Sequence, residues 1–315
     1  MATAEAQQIH QAPPSAAPVR GRVSGLAGGH RTALVVLLGP FLALLLVFQI
    51  LPLLLMLRNS TLSYTLLNPA RTTFVGLDNY TDIFTSSSAG QSVLVTLGFC
   101  VGLVVLIVPT SLLMAVFLNG RLPARALIRT IIYLPVITSL VVVATMWQFL
   151  LDPTSGPVNS LSRALGLGTH SFLTEQATAL ITLIVIGVWQ QFGFATVLFL
   201  AGLQGIPEDV LEAARVDGAS TARLLWYIIV PLLSRTTLFV VVVMTIFGLQ
   251  AFAQAFVITN GGPGGQTNFL VYNIYKTAFM LQKPGLASAL SVILLGLALL
   301  FSLVQMRLLR SRWSY

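Results

Sequence analysis

Six long apolar runs divide the chain, at about 33–57, 93–118, 127–151, 178–204, 236–259 and 286–306. Each reaches the ~20 residues that an α-helix rising ~1.5 Å per residue needs to cross ~30 Å of hydrocarbon. The pattern predicts an all-α membrane protein with six transmembrane helices. The first run is longer than the ~7–15 apolar residues of a signal peptide, and no small-residue cleavage site follows it, so it reads as a retained span. Pro40, Pro52 and Pro109 fall within or near span ends, where neighbouring helices can satisfy the freed carbonyls. Residues 1–30 are rich in Ala, Pro, Gln and Gly and carry no apolar periodicity. They read as a disordered cytoplasmic tail ahead of a transmembrane domain over 31–315. His10 and His30 in that tail have no metal-binding spacing.

Composition agrees with this pattern. Hydrophobic residues make up 56% of the 315 and charged residues 8%, against about 25% in a soluble domain. So low a charge content argues against a water-soluble globule. The net charge of +8 is not gathered in a basic stripe suited to nucleic acid. In a polytopic chain it marks loops that stay in the cytoplasm. With the N-terminus inside, twelve of the 17 Lys and Arg residues lie on cytoplasmic segments; the other five are Arg58, Arg71, Arg163, Lys276 and Lys283. The expected topology is a multi-pass bacterial plasma-membrane protein with both termini cytoplasmic. Cys100, the single cysteine, forms no intrachain disulfide.

Against this sparse background, six charged residues crowd between Glu208 and Arg223 in the stretch PEDVLEAARVDGASTARLLWYIIVP (207–231). Pro207 suits the first helical position, and Glu208 and Asp209 complement the helix dipole from the first turn. A short helix over 208–216 is expected, ended by Gly218, with Ser220 or Thr221 capping a second helix that runs into Pro231. Ala213, Ala214 and Ala219 are small enough to let a partner's backbone approach. Two readings stand: a knob docked in a partner's groove, or a solvated loop whose charge keeps it out of lipid.

The order Glu212-Ala213-Ala214, Asp217-Gly218-Ala219, Ile228 and Val230-Pro231 resembles the EAA loop of ABC-importer permeases, departing from it only in Val230 for leucine. FVGLDNYTDIF (74–84), the segment 129–167 with Trp147, Gly156 and Asn159, and TNGGPGGQTNFLVYNIYKTAF (259–279) extend the likeness to the carbohydrate-uptake branch. The resemblance implies a type I importer permease fold with a cytoplasmic coupling-helix loop at 207–231. It also implies that Glu212, Ala213, Ala214, Asp217, Gly218 and Ala219 couple the chain to an ATPase. The implied partners are a second, similar permease, two ATP-binding subunits, an extracytoplasmic solute-binding protein (in some members a lipoprotein) and a sugar-like substrate.

GGPGGQT (261–267) is not a phosphate loop: Gln266 stands where the lysine belongs and Asn260 where the first glycine belongs. The chain is therefore not expected to be an enzyme or to bind a cofactor; ATP and Mg belong to the partner ATPase. No Asp, Glu, Lys or Arg lies in the span cores, which disfavours an ion-coupled secondary transporter or channel, the alternative reading. No catalytic set of an embedded enzyme is present in the spans. Gln190 and Gln191 in the fourth span, and Gln250 and Gln254 one helical turn apart on a face with Phe247 in the fifth, suit sugar hydroxyls. The flanking aromatics Trp189, Phe194 and Phe252 supply apolar ring faces, and Trp147 with Gln148, near the outer end of the third span, is a further candidate. The same glutamines would also serve as hydrogen-bonding glue between helices. Tyr272, Asn273 and Tyr275 read as interfacial anchors.

Overall fold

The computed structural model describes residues 26–65, 67–85, 87–120 and 123–308. The tail expected over 1–25 lies outside them, whereas residues 26–30, assigned to the same tail, open the first helix. Residues up to Leu54 and those from Leu55 onward form two units. The first unit is helical: α1 (Leu26–Leu45) passes through a wider π turn, Leu46–Ile50, into α2 (Leu51–Asn59), whose last residues belong to the second unit. Val36–Asn59 is long and apolar enough to cross a membrane.

The second unit opens with a feature the apolar pattern does not contain. Strands β1 (Leu62–Thr65) and β2 (Asn68–Phe74) form an antiparallel hairpin that pairs Leu62 with Phe74 and Ser63 with Thr73. The amphipathic helix α3 (Asp78–Thr85) follows. Buried Asn79 donates from Nδ2 to the Ser60 carbonyl at 2.8 Å and the Leu62 carbonyl at 3.0 Å, and so ties this helix to the hairpin.

Helix α4 (Ser87–Asn119) is long and apolar enough to cross a membrane and packs on α8 (Gln176–Gln204) and α12 (Ser234–Leu249). Phe99, Leu103 and Ile107 of α4, Leu183 and Ile186 of α8 and Met244 of α12 are fully buried. The third apolar run is not one straight span. It folds as α5 (Arg125–Ile137) and α6 (Leu140–Leu150), bent by 98°. Pro135 withholds a backbone N–H near the end of α5, and Thr138 and Ser139 take extended conformations, so the helix stops and restarts. Helix α5 lies on α8 where a Cβ at Gly193 would overlap the Ile132 carbonyl. In lipid, where apolar surface gives helices no reason to associate, such close approach supplies the attraction.

After α6 come α7 (Pro157–Ala164), α8, α9 (Glu208–Val216), α10 (Thr221–Leu224) and the three-residue α11 (Val230–Leu232). The fifth run is also interrupted. Helix α12 ends at Leu249, and helical winding resumes as π turns over Gln254–Thr259. Then α13 (Leu270–Tyr275) and a π turn, Lys276–Met280, lead to α14 (Pro284–Leu308). The start of α13 is fixed to α4: the Leu270 N–H donates to Thr96 Oγ1 at 2.8 Å, and Asn273 Nδ2 donates to Ser92 Oγ at 3.1 Å. Tyr272 and Asn273, expected at the membrane interface, are thus buried inside the bundle.

Candidate functional site

The 207–231 segment folds as a helix–glycine–helix knob. Pro207 stands at the cap position rather than the first helical one, and Glu208 and Asp209 fall in the first turn of α9. The helix closes with paired bonds: Gly218 N–H to the Arg215 carbonyl and Ala219 N–H to the Ala214 carbonyl, both 3.0 Å. This closure needs a left-handed residue between the helices, and Gly218 supplies it with φ +78°. Ser220 Oγ accepts the Arg223 N–H at 3.4 Å and caps α10. Ala214, Leu224 and Ile229 are buried against the bundle.

Ala213, Glu212 and Asp217 are exposed, Ala219 is half-buried, and Val216 presents an apolar side chain that is 87% exposed. Among the described residues, the Glu212 and Asp217 carboxylates have no hydrogen-bond or ion-pair partner. Beside them Ala214, Asp217, Ala219, Arg223, Tyr227 and Ile228 line a cavity of about 410 Å³. Sequence reasoning did not single out Arg223 or Tyr227, although their i, i+4 spacing places them on one helical face.

The polar residues of the spans divide into two groups. Gln190 is 3% exposed with Oε1 unpartnered, and Gln254 is 1% exposed with neither amide atom partnered. Trp147 stands edge-on to Trp189, ring centroids 5.5 Å apart, and its buried Nε1 also lacks a partner. Helix α6, which carries Trp147, packs on the segment that begins at Gln254. Phe252 stacks on Phe256 at 5.1 Å and meets Tyr275 edge-on at 5.4 Å. Gln191 is half-buried. Gln250 departs from expectation: it follows the last residue of α12 and is exposed, so it shares no helical face with Gln254. Leaving a buried amide or indole N–H unpaired costs about 1–3 kcal/mol, so Gln190, Gln254 and Trp147 contribute no hydrogen bond to packing through these atoms.

After α6 the chain makes a tight polar turn. Asp152 Oδ1 accepts from Ser155 N–H (2.7 Å), Thr154 Oγ1 (2.7 Å), Ser155 Oγ (2.9 Å) and Thr154 N–H (3.0 Å). These bonds, led by the Ser155 N–H, hold its carboxyl well below the usual carboxylate range. Fully buried Asn159 donates to the carbonyls of Asp152 and His170 and accepts the His170 N–H at 2.8 Å. Asn159 is therefore a clasp that joins two loop arms.

A bundle of apolar helices, one of them bent, with an exposed charged knob between the fourth and fifth spans, defines an integral-membrane transport component. Residues 107–314 match the family described as "Binding-protein-dependent transport system inner membrane component", and the chain belongs to that family. It is accordingly a permease, a transporter component rather than an enzyme. Among its relatives is the sn-glycerol-3-phosphate transport system permease protein UgpA of Brucella abortus biovar 1 (strain 9-941), 33% identical over 78% of this chain and 84% of that one. The trehalose/maltose transport system permease protein MalF of Thermococcus litoralis is 33% identical over 76% of this chain and 81% of that one. The fold matches a bacterial alginate ABC transporter solved in complex with alginate pentasaccharide-bound periplasmic protein. That match has a TM-score of 0.79, 22% identity, and covers 91% of this chain and 98% of that one.

Proposed function

We propose that the chain is one of two transmembrane subunits of an ATP-driven importer for a sugar or a related polyol or glycerophosphate, with both termini in the cytoplasm. The 207–231 knob carries this reading. Its carboxylates and Val216 are presented to solvent without partners, while its apolar side is anchored in the bundle, so force applied to the knob reaches the spans. The names of the relatives above support the substrate class. In this reading two ATP-binding subunits seat the knob, a second permease completes the pathway, and an extracytoplasmic binding protein delivers solute. ATP and Mg reside on the ATPase. Closure of the ATPase dimer draws the knob inward, the spans turn with it, and hydrolysis resets them. Gln190, Gln191, Gln254, Trp147 and Phe252 line the solute path in this scheme, with Gln250 at its margin.

The test is a pull-down through a tag on this chain from mildly solubilised membranes, with ATPase activity assayed in the eluate. The expected result is recovery of an ATPase and a second permease, with the ATPase lost from Glu212→Ala although that variant still inserts. A solitary polypeptide without ATPase activity would reduce the knob to a solvated loop.

A further inference from the structure

The glycine-rich segment rejected as a phosphate loop walls a different site. Gly261, Gly264 and Gly265 all have positive φ and stand against side chains of other elements. A Cβ on Gly265 would come within 2.8 Å of Gln91 Oε1, and one on Gly264 would overlap the Gln176 amide. Between this loop and the start of α4 lies a cavity of about 370 Å³, within the range of roughly 300–1,000 Å³ typical of small-molecule sites. Its polar lining comes from Ser88, Gln91, Asn260, Asn268, Tyr272 and Lys276. Gln176 is the first residue of α8 and the knob follows its last. The 29 residues of α8 put the cavity roughly 43 Å from the knob along the helix, at its opposite end.

The groups facing this space are incompletely satisfied, and in complementary ways. Asn268 is 8% exposed and its Oδ1 is enclosed without a donor. Gln91 spends its Nε2 on the Gly264 carbonyl at 3.1 Å, which leaves its oxygen free to accept. The Tyr272 hydroxyl donates to the Asn260 carbonyl at 3.3 Å and keeps its lone pairs. Lys276 is exposed and its ammonium has no hydrogen-bond or ion-pair partner among the described residues. Two amide oxygens, one of them enclosed, are therefore placed to accept from O–H donors, and one solvent-exposed ammonium is placed to pair with an anion. A neutral sugar would leave the ammonium without counter-charge, and an inorganic anion lacking donors would leave the amide oxygens unpaired.

We infer that this cavity is a binding site for a hydroxylated anionic solute, a sugar or polyol carrying a carboxylate or a phosphate. It selects such solutes at the mouth of the pathway, ahead of the buried amides in the spans. This deepens the reading of the chain as half of a solute pathway and rests on that reading for its physiological role alone.

The experiment uses the full chain in nanodiscs, titrated with D-glucuronate, glycerol 3-phosphate and D-glucose by calorimetry. At least one of the two anions is expected to bind, with D-glucose at least about tenfold weaker. Binding by glucuronate alone assigns the anionic group to a carboxylate, and binding by glycerol 3-phosphate alone to a phosphate. Lys276→Gln, at an exposed position that the fold does not need, should weaken the bound anion about tenfold, and Lys276→Arg should retain it. Glucose binding as tightly as both anions, an unchanged affinity in Lys276→Gln, or no binding by any of the three would overturn the site. Because no ATPase takes part, failure here leaves the pull-down result untouched, and failure of the pull-down leaves this titration readable.

Discussion

Ala219 donates its backbone N–H to the carbonyl of Ala214 at 3.0 Å, across a residue that must be left-handed. One face of α9 is thereby turned into the bundle through Ala214, while Glu212 and Asp217 are held outward.

This closure makes Gly218 the most sensitive position of the knob. Nothing lies within 4 Å of a Cβ built there, so the cost of Gly218→Ala is conformational alone, about 1–2 kcal/mol. That cost falls on the knob rather than on the bundle. Uptake and ATPase recovery should fall severalfold in Gly218→Ala and vanish in Gly218→Pro, while membrane insertion is retained. Normal uptake by both variants would remove the turn from the coupling path.

Gln254 allows packing and transport to be separated. As interhelical glue, its replacement by methionine would lower the melting temperature of the solubilised protein. Neither amide atom has a partner, so Gln254→Met should leave that temperature equal or raised, since a similar apolar shape removes an unpaired buried amide. Uptake should nonetheless drop at least severalfold. A destabilised variant with unchanged uptake would return Gln254 to a packing role.

Asn159 is a structural clasp. Asn159→Ala removes three hydrogen bonds at a fully buried position and leaves His170 N–H without its acceptor. The expected loss is about 1–3 kcal/mol, read as a lower melting temperature and faster proteolysis between Asp152 and His170. Protection equal to that of the unmodified chain would contradict the clasp.

The Asp152 turn carries a pH signature. Its carboxyl is depressed from an ordinary value of 3.8 by bonds that only the ionised form accepts fully. The stabilisation is therefore complete above that ordinary value and disappears as pH falls through the lower folded value. The turn should remain intact throughout mildly acidic conditions. The carboxyl carbon of Asp152, followed by NMR, should begin to titrate only below the range of the other aspartates. Titration within that range would mean that the four bonds do not persist in solution.

Chain chemistry by itself determined the spans, the charged knob and its turn. Apolar runs long enough to cross lipid, a proline and two acids at a helix start, and a glycine five residues beyond Ala213 are local facts, and local backbone preferences decide what they build. The hairpin at 62–74 was not legible, because its short strands carry little apolar patterning and are held by Asn79, which lies outside them. Nor were the interruptions at Thr138–Ser139 and after Leu249. Hydropathy registers how apolar a run is, and a helix that stops and restarts inside the bundle stays apolar throughout. The break after Leu249 separated Gln250 from Gln254, which spacing alone had placed on one face. Whether a polar side chain is paired depends on residues distant in sequence. Only the tertiary structure could bury Gln190 and Gln254 without partners, turn Ala214 inward, and bring Lys276, Asn268 and Gln91 around one cavity.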